Sequence, residues 1–303
     1  MRIVVTGASG LIGSALVPAL RDDGHEVVTL VRRPPRAGGE FRWDPAGGQL
    51  DPAALAGTDA AVHLAGAGIG DHRWTASYQR ELRASRIAGT ALLARSLAAV
   101  TPPPRVLLSG SAIGWYGTEA DGRGEPLDES APAGSGFLAD LVADWEGAAD
   151  PARDAGIRVA ALRTGVVLST QGGALARQLP LFRRGLGGRL GSGQQWLSWI
   201  SRTDHVNATR FLLTAAAVRG PVNLVAPAPV TNARFTAALA AALRRPALLP
   251  VPRAALRLAL GGFADEGVLA SQRLAPAALT AAGFRFAHPD LDTALRAILA
   301  ADD

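Results

Sequence analysis

Residues 2–33 constrain this chain more than any other stretch. Arg2 to Val5 is a short, largely β-branched hydrophobic run that reads as a buried strand. Thr6-Gly7-Ala8-Ser9-Gly10-Leu11-Ile12-Gly13 follows directly, and an apolar helical pattern continues through Leu16 and Leu20. Gly24-His25 makes a turn, and Glu26 to Val31 forms a second strand ending in Arg32-Arg33. A β-turn-α-β unit with glycines at these places suits the close approach of a dinucleotide's pyrophosphate. Gly7 permits the tight turn out of the strand. Gly10 brings the main chain near the anion, and Gly13 lets the helix pack on the strand. The unpaired N–H groups of the helix N-terminus face the same point.

The same rhythm continues. Strands are expected at 41–44, 60–64, 105–109 and 158–168, with a last one returning at 222–225. Between them lie helical patterns at 50–55, at 137–149, at 203–218, and in a long helix capped by Thr75 and ended by Pro102 to Pro104. Strands alternating with helices at this spacing imply an α/β fold, a doubly wound parallel Rossmann sheet covered on both faces. Beyond Leu168 the pattern loosens. Residues 1–168, completed by about 201–226, are read as the nucleotide-binding domain. Residues 169–200 and 227–303 are read as a smaller, mainly helical lobe that caps it, and sites in such sheets lie at the carboxyl ends of the strands.

Composition removes several function classes. The chain has no cysteine, which excludes disulfides and thiolate chemistry. All 31 basic residues are arginine and the net charge is +5, but only two tyrosines accompany them, so the basic and aromatic patches of a nucleic-acid binder are not expected. No apolar run reaches the roughly 18 residues of a membrane span, and nothing at the N-terminus resembles a signal peptide. A cytoplasmic protein with no membrane partner is expected. Its five histidines show no metal-ligand spacing, so no metal is expected either.

TGASGLIG, HLAG at 63–66 and SGSAIGWYG at 109–117 resemble the extended short-chain dehydrogenase/reductase superfamily. Further stretches resemble its atypical, YfcH-type branch of epimerase-like proteins: SRIAGT at 85–90, DWE at 144–146, LRTGVVL at 162–168, QWLSWISRTDHV at 195–206 and the C-terminal run from Pro252. Members of that branch are described as nucleotide-sugar epimerases or NAD(P)-dependent oxidoreductases of unassigned substrate. The resemblance implies that Gly7, Ser9, Gly10, Leu11, Ile12 and Gly13 hold the pyrophosphate, and that Ala65 and Gly66 pass the ribose. It also sets Thr164, Gly165 and Val166 after the strand that approaches the nicotinamide. Asp44 stands where an acid lies near the adenine, or else makes an Asx turn before Pro45. An acid at the end of the second strand would favour NAD. Arg32 and Arg33 stand there instead, and guanidinium suits a 2′-phosphate, so the cofactor expected is NADP(H).

Superfamily catalysis uses Ser, Tyr and Lys. Ser111 matches the serine, but Phe137 and Leu141 stand at the other two positions, and the chain has no lysine. Tyr116 is the available proton donor, or else a pocket-lining aromatic. Arg86 could lower its pKa, bind a cofactor phosphate, or pair with Asp144. Trp115 lies beside Tyr116, while Trp196 and Trp199 could wall a small-molecule substrate or form an interlobe core. The function expected is an NADP(H)-dependent oxidoreductase or epimerase. The alternative is a cofactor-binding regulatory or division-related protein without catalysis. A homodimer through helix 75–99 is open.

Overall fold

A computed structural model describes residues 1–301. Strands Arg2–Thr6 (β1), Glu26–Val31 (β2), Glu40–Asp44 (β3), Gln49–Leu50 (β4), Ala60–His63 (β5) and Val106–Ala112 (β6) join Arg158–Thr164 and Gly220–Leu224 in one eight-stranded sheet. Its order from one edge is Gly220–Leu224, Arg158–Thr164, β6, β5, β1, β2, β3, β4. Every neighbouring pair is parallel except β3 with β4. β1 is central and buried, and the chain winds outward from it in both directions.

Each face of the sheet is sealed by its own apolar layer. On one, Gly13–Asp22 (α1) and Arg202–Thr214 press Leu16, Leu20, Val206 and Leu212 onto Ile3, Val5 and Val62. On the other, Ala76–Ala98 (α2) brings Leu93 and Leu97 onto Val4, Ala61 and Leu107. Thr75 caps α2 by accepting the Tyr78 N–H. Burial at these two layers provides most of the driving force, at about 25 cal/mol per Å² of apolar surface.

One element differs from expectation, and another gains its bounds. Segment 158–168 is two strands broken at Gly165, because a Cβ there would come 2.7 Å from the Ser198 carbonyl oxygen. Val166–Leu168 then leaves the main sheet to pair with Trp199–Ser201. The 169–193 stretch, read only as part of the mainly helical capping lobe, contains a helix, Gly173–Arg183, that packs on Asn232–Leu243. Together with Leu291–Ala300 these helices build one apolar cluster, which also takes in Leu168, Trp199 and Ala226. The lobe expected over 227–303 is described to residue 301, and 302–303 lie outside the described residues.

Candidate functional site

The carboxyl ends of β1, β5 and β6 meet at one place, and the glycines there have separable jobs. Gly7 has φ +69°, and a Cβ on it would lie 2.6–2.8 Å from the Leu64 carbonyl and the Ala65 nitrogen. A Cβ on Gly13 would lie 2.2 Å from the Gly7 oxygen, so the helix can approach the strand only without a side chain. Gly10 is exposed, and its Cβ would meet nothing nearer than 3.3 Å. A methyl at Gly10 is therefore a tight fit against one backbone atom, the Gly7 oxygen, but far less severe than at Gly7 or Gly13. No side chain caps α1 and its first turn carries no acid; Ser14 and Ala15 already donate to the Gly10 and Ile12 carbonyls, so the helix dipole and the N–H groups ahead of Ser14 are what it offers an anion. Exposed Ser9 and half-buried Leu11 and Ile12 complete the cradle, and Gly172-Gly173 packs against Leu11 from the smaller lobe.

Thr6 ties this loop to the next. Its hydroxyl oxygen accepts the Leu64 and Ala65 N–H groups at 3.1 and 3.2 Å, which leaves its proton for His63 Nδ1 at 2.7 Å. His63 is fully buried, and desolvation holds its pKa at about 4, so a neutral imidazole fixes the loop containing Ala65 and Gly66 beside Gly7. Neither residue was singled out as functional from sequence; HLAG was visible only as a motif.

At the end of β2, both arginines are exposed. Arg33 is held by Glu40 through two hydrogen bonds of 2.6 and 2.8 Å. Arg32 makes no hydrogen bond or ion pair among the described residues, so it is the one free to meet a phosphate. Asp44 accepts the Gly47 N–H at 3.1 Å and thereby shapes the β3–β4 turn.

The proposed chemical residues are more buried than the cradle. Ser111 donates to Glu146 Oε1 at 2.6 Å, and Glu146 accepts two bonds from Arg163 at 2.8 and 3.0 Å. Arg163 also donates to the Tyr116 oxygen at 3.2 Å, and Tyr116 donates to Asn223 Oδ1 at 2.7 Å. Trp115 stacks on the same guanidinium, 3.9 Å from its ring centre. Burial pushes the Tyr116 phenol above its ordinary value, opposite to the shift a proton donor at neutral pH needs. Tyr116 is thus placed in an internal network rather than at an open edge. Ser111 shares that network through Glu146, a residue sequence reasoning left without a role.

The remaining candidates divide clearly. Thr164 donates to the Leu162 carbonyl and contacts His205 Nε2, while Gly165 and Val166 form the strand break described above. Trp199 is fully buried in one apolar cluster with Leu168, Leu175 and Phe235 and donates to the Ala228 carbonyl. Trp196 is half-buried, with Arg273 over its ring. Phe137 and Leu141 share an apolar cluster with Trp74 and Leu82. Arg86 does not pair with Asp144, which binds Arg83.

A parallel sheet with this order and glycine cradle defines the Rossmann class of α/β proteins, in the extended short-chain dehydrogenase/reductase form. Two family models match the chain: the NAD dependent epimerase/dehydratase family over residues 3–225, and a domain of unknown function (DUF1731) over residues 251–298. The chain belongs to the NAD dependent epimerase/dehydratase family. Epimerase family protein Mb2239 of Mycobacterium bovis is 48% identical over 97% of this chain and 96% of that protein. The crystal structure of the human epimerase family protein SDR39U1 (isoform 2), with NADPH, superposes with TM-score 0.87 at 35% identity over 98% of this chain and 99% of that one. A nucleoside-diphosphate sugar epimerase from Corynebacterium glutamicum gives TM-score 0.80 at 37% identity, over 99% of this chain and 58% of that one.

Proposed function

We propose that the chain binds NADP(H) across the carboxyl ends of β1, β5 and β6 and acts as an oxidoreductase or nucleotide-sugar-type epimerase. The observation that carries this reading is the cradle: backbone clashes demand glycine at Gly7 and Gly13, and Gly10 lies exposed in front of a helix that no side chain caps. The NADPH in the human relative's structure supports the same choice. In this reading Gly10 lets the pyrophosphate come close to the main chain, the N–H groups of Leu11 and Ile12 at the start of α1 hold it, Arg32 meets the 2′-phosphate, and Gly66 passes the ribose. When bound, the cofactor supplies a hydride donor or acceptor at its nicotinamide. The partner is a small molecule of unassigned identity.

A second reading, a cofactor-binding regulator without chemistry, is favoured by one observation. Phe137 and Leu141 are enclosed in an apolar cluster, and the Tyr116 hydroxyl is engaged inside the protein.

Calorimetric titration with NADPH and NADH tests the cofactor. Tighter binding of NADPH is expected. Arg32→Ala should weaken NADPH roughly 10–100-fold, the value of a charge-assisted hydrogen bond, and leave NADH unchanged. Absence of NADPH binding would sink the reading. NADPH absorbance over a panel of carbonyl substrates then separates net redox turnover from epimerisation or regulation.

A further inference from the structure

Arg86, on α2, is 9% exposed and has no carboxylate partner among the described residues. Its guanidinium donates one hydrogen bond to the chain, Nη1–H to the Leu82 carbonyl at 3.2 Å. It also lies over the Trp145 ring, 5.1 Å from the centre. Burial pulls its pKa down to about 10, which still leaves it charged at neutral pH. A cation held out of water with so few partners weakens a fold unless something else engages it.

Gly66 shows what lies in front of it. A Cβ built on this exposed glycine would stand 3.5–3.7 Å from Arg86 Cγ, Cζ and Nη1. The guanidinium therefore lies directly beneath the open backbone of the loop that sits beside Gly7. The opposite neighbour is Phe137–Gly147 (α3). Leu82 and Leu141 share one apolar cluster across α2 and α3, and Arg86 and Trp145 meet one turn further along both helices. Leu141 occupies the position at which the resemblance leads one to look for lysine. The facing helix thus supplies a cation to the side of the site where α3 has none.

We propose that Arg86 binds the nicotinamide-ribose half of the cofactor, through ribose or phosphate oxygens passing Gly66, in place of the lysine this chain lacks. The proposal rests on the NADP(H) reading above. It makes Arg86 a ligand-binding residue retained at a cost to stability, not a structural ion.

Two ligands and two variants test it. NADPH carries both halves of the dinucleotide, whereas adenosine 2′,5′-bisphosphate lacks the nicotinamide ribose. Arg86→Met should weaken NADPH at least about tenfold, leave the bisphosphate affinity within about twofold, and hold or raise the melting temperature. Arg86→Lys should recover part of the NADPH affinity. Unchanged NADPH affinity in Arg86→Met would overturn the assignment. So would equal losses for both ligands, or a lowered melting temperature with both lost, because these mark a structural role. If the unaltered protein binds neither ligand, the cofactor reading itself fails and this inference falls with it.

Discussion

Glu146 balances the charge on the buried side of the site. Arg163 is 2% exposed, and Glu146 is the carboxylate that meets it. Breaking such a pair leaves a guanidinium buried and uncompensated, at about 3–5 kcal/mol. Glu146→Ala should therefore lower unfolding stability by that order in urea denaturation, and Glu146→Gln by less, because its amide oxygen can still accept from Ser111 or Arg163. Tyr116→Phe leaves Asn223 Oδ1 without its donor and should cost about 1–2 kcal/mol with NADPH affinity unchanged. A Tyr116→Phe variant of full stability and no turnover would instead return the phenol to the chemistry. Sequence position brought Ser111 and Tyr116 to notice through one short motif. It could not reveal their partners, since Glu146, Arg163 and Asn223 lie 35 to 107 residues away along the chain. Trp199 was ambiguous for a related reason: a tryptophan between two lobes has the same local sequence whether it faces ligand or core.

The β1–loop–α1 element offers a sharper test, because two of its glycines answer to different demands. At Gly13 an added methyl collides with the Gly7 backbone oxygen at 2.2 Å, so the helix or strand must move. Gly13→Ala should lose both stability, by the roughly 1–3 kcal/mol of overpacking, and NADPH affinity. At Gly10 the methyl meets a single atom, the Gly7 oxygen at 3.3 Å, so a shift of only a few tenths of an ångström relieves it. Gly10→Ala should melt within a few degrees of the parent protein, on the order of 0.5 kcal/mol, yet lose NADPH affinity at least about tenfold if a pyrophosphate crosses there. Thermal melts run beside NADPH titrations check both, and retained affinity in Gly10→Ala would remove the pyrophosphate from this loop. This element was fully legible, since strand, turn glycines and helix are contiguous and each obeys a local rule. The helix Gly173–Arg183 was legible only as part of a mainly helical stretch, because Gly172, Gly173 and Pro180 interrupt the pattern that would set its bounds. Gly165 likewise ends a strand only because Ser198 crosses above it, a tertiary fact with no local signature.

Across the whole molecule, charge is divided unevenly along the chain. Residues 155–264 hold fourteen arginines and a single acid, Asp204. Many of those arginines find acids from outside the stretch: Arg163 with Glu146, Arg177 with Asp71, Arg210 with Asp23, Arg234 with Asp292, and Arg257 with Asp265. The basic balance is in part internal stitching between distant segments, and the exposed pairs contribute only about 0–1 kcal/mol each. Two buried histidines matter more for pH dependence. His63 lies on the α2 side of the sheet against Trp43 and Gly89, and His205 on the opposite side within Arg202–Thr214. Desolvation holds both near pKa 4, against an ordinary imidazole value of 6.5. The unfolded chain takes up a proton on each below about pH 6.5, whereas the folded chain does so only near pH 4, so stability falls as pH drops through that window. The full loss is on the order of 3 kcal/mol per histidine. Carboxylates such as Glu40, held at about 2 by Arg33, act in a lower window, and half-buried Glu129, pushed upward by desolvation, acts with the opposite sign. Urea denaturation at intervals between pH 7.5 and 4.5 should therefore show stability declining well before Glu40 titrates. His63→Gln and His205→Gln should each make that decline shallower, by up to one proton's worth of slope. A level stability profile from pH 7 to 5 would mean that neither imidazole is held neutral by the fold, and would undo the account of Thr6 and His63 as the tie between the two loops.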